Sequence, residues 1–144
     1  IEGITDSKNR SFAEIKHLLA ERGAKIADPG SVLWNFDKIG TILCAKDDNA
    51  HKTKEDIELA IIEAGATDFH MHEDVWVIET SFTGIDKVKR ALELAGVAVK
   101  EAGHDYKPKN SLPLSLEDQQ TAALLIDAIA DHEDVQEVYT NLAE

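Results

Sequence analysis

Four segments of this chain carry apolar residues at the three- and four-residue spacing of an amphipathic helix. The pair Ser11 and Glu14 predicts a capping box at the start of the first helix, and Gly23 supplies a left-handed residue at its end. The pattern therefore predicts four helices, which cover about residues 12–22, 54–64, 84–95 and 116–132.

Between these helices, apolar and polar residues alternate in short segments, as they do in a half-buried strand. Residues 37–40 are expected to turn one strand into the next and so form a hairpin. The predicted strands are residues 1–4, 32–36, 41–45, 69–72, 75–80, 97–101 and 135–141.

Two linkers divide this order of elements. Residues 46–53 are polar and have no apolar pattern, and a second linker lies around Pro108. We expect residues 1–46 and 107–144 to form one domain, because their order of strand, helix, two strands, helix and strand is ferredoxin-like. Residues 47–106 then form a second small α/β domain. The predicted fold class is α+β, a ferredoxin-like α/β sandwich interrupted by this inserted domain.

The chain is strongly acidic. Its 144 residues include 28 Asp and Glu against 15 Lys and Arg, which gives a net charge of −13. A polyanion repels nucleic acid unless its cations are gathered on one face. The first 46 residues are nearly balanced, with seven Lys and Arg against six Asp and Glu. Any phosphate contact should therefore lie in this first third.

The sequence also bears on the compartment. No apolar run approaches the roughly 18 residues of a membrane span, and no basic and then apolar leader opens the chain. The single cysteine, Cys44, excludes an internal disulfide and suits a reducing compartment. We expect a soluble cytoplasmic protein with no membrane partner. Because the chain opens on Ile1 in what reads as the end of a strand, we also expect residues upstream to be missing.

The strongest candidate for chemistry is the turn before the first helix. Lys8, Asn9 and Arg10 provide two cations and an amide, and a helix N-terminus favours anions. They are candidate contacts to a nucleic-acid backbone. The alternative is a solvated turn in which Asp6 and Asn9 cap backbone amides.

Two further cations are candidates of the same kind. Lys107 and Lys109 flank Pro108 in the second linker, and they could lie beside the turn if the two halves of the chain fold together. The alternative, a solvated linker, is favoured.

Other residue patterns give no site. His70 and His72 lie on one face of a predicted strand, at a spacing that can chelate a metal, but no third ligand completes the set. No phosphate-binding glycine loop, nucleophile elbow or zinc motif occurs. We predict no metal site, no cofactor and no catalytic residue, and hence a protein that is not an enzyme.

Buried packing is the simpler explanation for the cysteine and the large aromatic residues. Cys44 stands in an apolar segment, so we expect it in the core rather than in catalysis. Trp34, Phe36 and Trp76 could stack on exposed bases, but their alternation with other residues favours the core.

Four motifs, in this order, resemble those of the YebC/PmpR family over nearly the whole chain. They are Thr5-Asp6-x-Lys8-Asn9-Arg10, Pro29-Gly30-Ser31-Val32-x-Trp34-x-Phe36, Glu63-Ala64-Gly65-Ala66-x-Asp68 and Asp134-Val135-Gln136-Glu137-Val138-Tyr139-x-Asn141. Each motif is weak alone, and their order makes a chance match unexpected.

The resemblance implies a function and a domain arrangement. Members of the family are described as DNA-binding transcriptional regulators, and relatives include a mitochondrial translational activator of cytochrome oxidase subunit I and ribosome-associated factors. Members have a basic helical domain followed by a second domain into which the third is inserted. This chain resembles the second and third domains only.

Three functions stay open at this point. The first is a non-enzymatic regulator of gene expression of the DNA-binding transcriptional type, whose affinity comes mainly from the basic N-terminal domain that this chain lacks. The second is a ribosome-associated translation factor that binds ribosomal RNA and ribosomal proteins. The third is a protein-interaction or ligand-binding module, because a fold alone does not fix a function.

Overall fold

A computed structural model describes residues 1–28 and 30–143 of the chain. Within them the strands are Glu2–Gly3 (β1), Phe36–Ala45 (β2), Asp68–His72 (β3), Val75–Ser81 (β4), Glu101–Pro108 (β5) and Val135–Glu137 (β6). The helices are Lys8–Glu21 (α1), Lys54–Ala64 (α2), Ile85–Leu94 (α3) and Leu116–Ala130 (α4), with short 3-10 helices at Leu33–Asn35 and Asp47–Asn49. The predicted α+β class is confirmed, as are the four helices.

The chain divides into two compact units. Ile1–Phe36 and Pro108–Glu144 form one of them, here called the terminal unit, and Asp37–Lys107 form the other, the middle unit. The predicted domains, 1–46 with 107–144 and the insertion 47–106, stay a prediction. The contacts group residues 37–46 with the middle segment, and residues 39–45 of β2 pair with β4.

The middle unit has the ferredoxin-like order. Its elements follow one another as β2, α2, β3, β4, α3 and β5, and its four strands lie in the order β3, β4, β2, β5. This is the strand, helix, strand, strand, helix, strand arrangement. The sequence pattern predicts this order for the terminal segments, whereas the structure has it in the middle unit.

The ferredoxin-like order was expected in the terminal segments because residues 37–40 were predicted to form a hairpin turn, and the structure has no such turn there. Residues 33–35 form a 3-10 helix instead of a strand, and β2 runs unbroken from Phe36 to Ala45. Gly40, which suggested a turn, lies within this strand. A side chain at position 40 would collide with Ile85 of α3. The glycine serves the close packing of a helix on a strand.

The core of the middle unit lies between one face of the sheet and two helices. On β2, Ile42 and Cys44 are fully buried while their neighbours are only partly so, which is the two-residue period of a strand covered on one side. Trp76 and Ile78 of β4 continue this face. The helices contribute Ile57, Ala60, Ile61 and Ala64 from α2, and Val88 and Leu92 from α3.

The helix ends follow local chemistry. Thr53 and Asp56 form a capping box at the start of α2, and Gly65 ends that helix with a φ of 86°. The capping box predicted at Ser11 is wrong. Helix α1 begins one turn earlier, at Lys8 with Ser7 as its N-cap, because the Ser11 hydroxyl is used for other hydrogen bonds.

The terminal unit is less fully packed. Strands β1 and β6 pair antiparallel, and Tyr139 donates a hydrogen bond from its hydroxyl to Glu2 at 3.0 Å. Leu19 of α1 and Ile129 of α4 are its buried apolar residues among those described. Several large apolar side chains of this unit are exposed, including Ile4, Phe12, Val32, Leu33, Trp34, Leu116 and Leu124.

None of the helices in the described part of the chain is both long enough and apolar enough to cross a membrane.

The two neighbouring isoleucines of α2 provide a test of the core. Ile61 is 0% exposed and Ile62 is 62% exposed. Ile61→Ala should lower the free energy of unfolding by about 2–5 kcal/mol, because it leaves a cavity under the sheet. Ile62→Ala, the matched control, should change it by no more than about 0.5 kcal/mol. Urea unfolding followed by circular dichroism measures both, and equal losses would contradict the assigned core.

Candidate nucleic-acid interface

The turn from Thr5 to Ser11 leads into the first turn of α1. Lys8 and Asn9 are both exposed and begin the helix. Lys8 has no ion pair with any of the described residues, and Ser7 makes no side-chain capping bond to the first helical amides. Backbone N–H groups at such a helix start favour an anion. The contact of these two side chains with nucleic acid stays a prediction.

Arg10, the third residue of the motif, has a different position. Its guanidinium lies 3.1 Å from the carboxylate of Asp134 and 3.2 Å from that of Asp6. Glu133 and Glu14 lie at 3.8 and 4.0 Å. The hydrogen bond to Asp134, with the charge of Asp6, raises the pKa of Arg10. A cation surrounded by four carboxylates is already neutralised, so it is a poor phosphate contact.

Asp134 connects the turn to a segment more than 120 residues away. Ser11 donates its hydroxyl hydrogen to Asp134 Oδ2 at 2.6 Å, and Ser11 Oγ also lies 2.6 Å from Thr5 Oγ1. The Thr5 hydroxyl oxygen in turn accepts a hydrogen bond from the Ser7 amide at 3.0 Å. This chain of hydrogen bonds fixes the entry of α1 against the residues just before β6.

The environment of Asp134 favours its charged form. The hydrogen bond from Ser11, together with the one from Arg10, lowers the pKa of the Asp134 carboxyl against a smaller effect of desolvation. The side chain is only 12% exposed. A charge-assisted hydrogen bond in such a place is stronger than one between neutral groups.

His132 completes this network. Its Nδ1 accepts a hydrogen bond from the Asp134 amide at 3.2 Å, and its Nε2 lies 3.1 Å from Glu14 Oε2. The side chain is 11% exposed. Because Nδ1 accepts from an N–H group, the neutral ring carries its hydrogen on Nε2 and donates it to Glu14. This bond ties α1 a second time to the end of α4.

Glu14, His132 and Asp134 bring three possible metal-ligating atoms within 4.8 Å of one another. The hydrogen bonds argue for a polar network instead. The ring nitrogen that faces Glu14 carries a hydrogen and cannot accept a metal in that tautomer. Asp134 is held by Ser11 and Arg10. These hydrogen bonds link α1 to the residues just before β6.

The two predicted linker cations lie in different units. Lys107 is in β5 of the middle unit, not in a linker, and its Nζ lies 2.7 and 2.8 Å from the two carboxylate oxygens of Glu79. This hydrogen bond to Glu79 raises the pKa of Lys107. Lys109 belongs to the terminal unit and donates from Nζ to the backbone carbonyl of Trp34 at 2.9 Å. Both ammonium groups are engaged within their own units.

A groove of about 560 Å³ runs beside α1 in the terminal unit. Lys8 lies in its wall, and so does Lys25. Much of the rest is apolar, with Phe12 and Leu33 among the side chains that face it. The exposed cation of the turn thus lies beside an apolar surface.

The other residues singled out from the sequence have separate positions. His70 and His72 are exposed on β3, and neither belongs to the metal-ligating group found among the described residues. Cys44 is buried as predicted, and burial raises the pKa of its thiol to about 11. At neutral pH this thiol is protonated and not a nucleophile.

The three aromatic residues singled out from the sequence differ in their exposure. Trp76 is 2% exposed and confirms the prediction of a core residue, and Phe36 is half-buried. The same prediction was wrong for Trp34, which is 65% exposed. Its segment is a 3-10 helix, so the alternation of a strand does not apply there. Pro29, in the motif just before it, lies outside the described residues.

The chain was compared with families and proteins of known sequence or structure. A family model described as the second and third domain of TACO1/YebC matches residues 1–142. The chain belongs to this family. The resemblance drawn from the four motifs is confirmed.

Relatives in the TACO1/YebC family share much of the sequence. A "Probable transcriptional regulatory protein" of Caldanaerobacter subterraneus subsp. tengcongensis is 40% identical over 142 residues, which are 99% of this chain and 58% of the relative. One of the same description from Thermoanaerobacter pseudethanolicus is 37% identical, over 99% of this chain and 57% of the relative. The chain spans under three fifths of these relatives.

A solved structure supports the fold. The crystal structure of a conserved hypothetical protein from Aquifex aeolicus superimposes with a TM-score of 0.87 at 28% sequence identity. The match covers 98% of this chain and 57% of that protein. The fold of this chain therefore has a counterpart in part of a solved structure.

Sequence reasoning missed the partners of the turn. Asp134 and His132 hold it in place, yet neither was singled out as a site residue. A signal was available in the family motifs. The first motif contains the cation Arg10 and the last begins with the anion Asp134, and these two residues pair in the structure.

The hydroxyl of Ser11 provides a test of this network. Ser11→Ala removes the donor to the Asp134 carboxylate and should lower the free energy of unfolding by about 1–3 kcal/mol. Ser7→Ala is the matched control, because the Ser7 side chain makes no capping hydrogen bond. Urea unfolding measures both variants. Equal effects would mean that the Ser11 hydroxyl has no special role.

The lowered pKa of Asp134 predicts a pH dependence. A depressed pKa in the folded state adds stability above the unfolded value, near 3.8, and this stability is lost as the pH falls through the lower folded value. Asp134→Asn should therefore melt at a lower temperature than wild type at neutral pH and lose less on acidification below about pH 4. Melting curves from about pH 7 to about pH 2 measure this. Asp127→Asn, which changes an exposed carboxylate of α4, is the control. If the melting temperature of Asp134→Asn fell as steeply with acid as that of wild type, the assignment would be contradicted.

Proposed function

We propose that this chain is part of a regulator of gene expression that acts on nucleic acid, of the transcriptional type. The observation that carries the proposal is the family match over residues 1–142, with relatives named as probable transcriptional regulatory proteins. Because the chain spans under three fifths of those relatives, the activity of the whole protein is part of the proposal.

Within the chain, we assign the nucleic-acid contact to the start of α1. Lys8 and Asn9 are exposed there, beside backbone amides that favour a phosphate. Arg10 has a positioning role, because its carboxylate partners hold the turn in shape. Lys107 and Lys109, predicted as further contacts, support the proposal less, since Glu79 and the Trp34 carbonyl occupy their ammonium groups.

The charge balance limits what this contact does. The chain carries −13, and binding to a duplex grows with the number of phosphates that cations neutralise. One exposed lysine and an amide position a backbone but give little affinity. We therefore assign most of the affinity to the additional part of the full-length protein, and we propose that it acts in the cytoplasm without catalysis.

A second candidate is a translation factor that associates with the ribosome. The acidic charge favours it, because an acidic surface attracts basic proteins such as those of the ribosome and repels duplex DNA. Under this candidate the turn meets structured RNA. Both candidates use the same residues of α1.

The first prediction concerns the chain by itself. It should bind random-sequence duplex DNA weakly, with a shallow dependence on salt. Lys8→Ala should weaken binding and reduce the slope of log K against log salt by about 0.9, which corresponds to one phosphate contact. Lys16→Ala, an exposed lysine further along α1, is the matched control and should leave the slope nearly unchanged. Fluorescence anisotropy over a range of salt concentrations measures the three proteins.

Two results would count against the assignment. A wild-type slope that implies six or more phosphate contacts would place the main affinity in this chain. Equal slopes for wild type and Lys8→Ala would remove the turn from the interface. The variant Arg10→Ala separates the two roles, because it should lower the melting temperature whereas Lys8→Ala should not.

Fractionation of cell lysates distinguishes the transcriptional candidate from the translational one. If the full-length protein regulates transcription, it should sediment with DNA, and DNase should abolish this co-sedimentation. Sedimentation with ribosomes that survives DNase but is lost after RNase would select the translation factor instead. Sucrose gradients with and without each nuclease give the answer.

A further inference from the structure

Three consecutive large apolar side chains of the terminal unit face outward. Val32, Leu33 and Trp34 are each more than half exposed, and Trp34 is the most exposed of them. Tryptophan is highly buried on average, and a contiguous exposed apolar patch commonly marks an interaction site. The flat indole of Trp34 is the largest of the three surfaces. It is therefore the first place to look for a partner.

The backbone that carries Trp34 is fixed by hydrogen bonds. Lys109 donates from its backbone N–H to the carbonyl of Asn35 at 2.8 Å and from its ammonium group to the carbonyl of Trp34 at 2.9 Å. Within the turn, the Asn35 amide donates to the Val32 carbonyl at 3.0 Å. A platform that is already ordered costs little entropy when a ligand binds. The turn presents the indole as such a platform.

The groove beside α1 continues this surface. Val32 and Leu33 lie in its wall, and so does Phe12. Phe12 is more than half exposed and lies four residues after Lys8, so the two side chains are neighbours on one face of α1. The groove thus contains a second exposed aromatic ring, next to the lysine that we assign to a phosphate.

The charges of the groove are nearly balanced. Lys8 and Lys25 are the lysines among its lining residues, and neither makes an ion pair within the described part of the chain. Asp28 and Asp134 are the lining carboxylates, and Asp134 already accepts a hydrogen bond from Ser11. Electrostatic attraction of an anion is therefore modest. The aromatic and apolar side chains are what this surface has to offer a ligand.

We propose that this surface binds single-stranded nucleic acid, with one base stacked on Trp34. The neighbouring nucleotides follow the groove past Phe12 to the phosphate contact at Lys8. Proteins that bind single strands combine aromatic platforms, on which bases stack, with cations that contact the backbone. This site rests on the function proposed above, since it uses the same contact at Lys8, and it limits the nucleic acid to a single strand.

A duplex does not fit the platform in this way. Its bases are paired and stacked on one another, so their faces are not free to lie on Trp34. The sugar matters less, because stacking does not involve the 2′-hydroxyl group by which proteins distinguish RNA from DNA. Strands of RNA and of DNA share the chemistry of the exposed base. We therefore expect both to bind, and more tightly than a duplex.

The test measures the affinity of the chain for a labelled oligothymidine of about 12 nucleotides by fluorescence anisotropy. Trp34→Leu keeps an apolar side chain but removes the ring, so it should weaken binding about fivefold or more. Trp34→Phe keeps a ring and should bind within about threefold of wild type. Leu33→Ala changes the exposed neighbour and is the matched control, which should bind as wild type does.

Tryptophan emission gives a second readout. The chain has two tryptophans, and Trp76 is buried, so a stacked base should quench Trp34 alone. Oligothymidine and oligouridine should both quench the emission in a saturable way. A duplex that contains the oligothymidine should quench it much less, and Trp34→Leu should show no saturable quenching with any of the three.

Equal affinity of Trp34→Leu and wild type, or saturable quenching that persists in Trp34→Leu, overturns the site. Quenching by the duplex at the same concentrations as the single strand overturns the assignment to single strands. A preference of about tenfold or more for either sugar overturns stacking as the main contact.

Two further outcomes overturn the site in favour of something else. If no oligonucleotide binds, and ribosome association is lost in Trp34→Ala but kept in Trp34→Leu, the surface belongs to a protein partner. If duplex DNA binds through Lys8 while no single strand binds, the site is overturned and the function proposed above stands.

Discussion

The terminal unit depends on one half-buried carboxylate. Asp134 accepts the hydroxyl hydrogen of Ser11 at 2.6 Å and faces the guanidinium of Arg10 at 3.1 Å. These bonds join the first turn of α1 to the segment before β6, and the His132 bridge to Glu14 adds a second link. Because this unit has few buried apolar residues, polar bonds have a larger share in fixing its shape than in the middle unit.

This constraint also divides the cationic motif by function. The carboxylates around Arg10 neutralise its charge, while Lys8 and Asn9, on the adjacent positions of the helix, have no such partners among the described residues. One short motif thus contains a structural cation and a candidate contact. An acidic chain can present a nucleic acid with a positioning contact in this way, without being a strong nucleic-acid binder itself.

The sequence predicted the elements better than their assembly. Helical spacing located all four helices, although α1 and α4 each bury only one large apolar side chain among the described residues. The hairpin at residues 37–40 failed because Gly40 marks close packing against Ile85, which no local pattern records. The ferredoxin-like order was accordingly placed in the terminal segments and not in the middle one.

Local sequence patterns were equally limited in predicting the candidate sites. Exposure of Lys8 and burial of Cys44 follow from local pattern and were predicted. The pairing of Arg10 with Asp134 joins positions 124 residues apart. Such contacts arise only from the folded chain. A motif therefore identifies important residues but does not show which contact each of them makes.

The central claim is that Arg10 acts through Asp134, and a double-mutant cycle tests it most directly. Urea unfolding would be measured for wild type, Arg10→Ala, Asp134→Ala and the double variant. If the two residues act as a pair, Arg10→Ala should destabilise the wild type but have little further effect once Asp134 is alanine. Additive losses would contradict the claim, because Arg10 would then stabilise the chain by some other contact or serve another role.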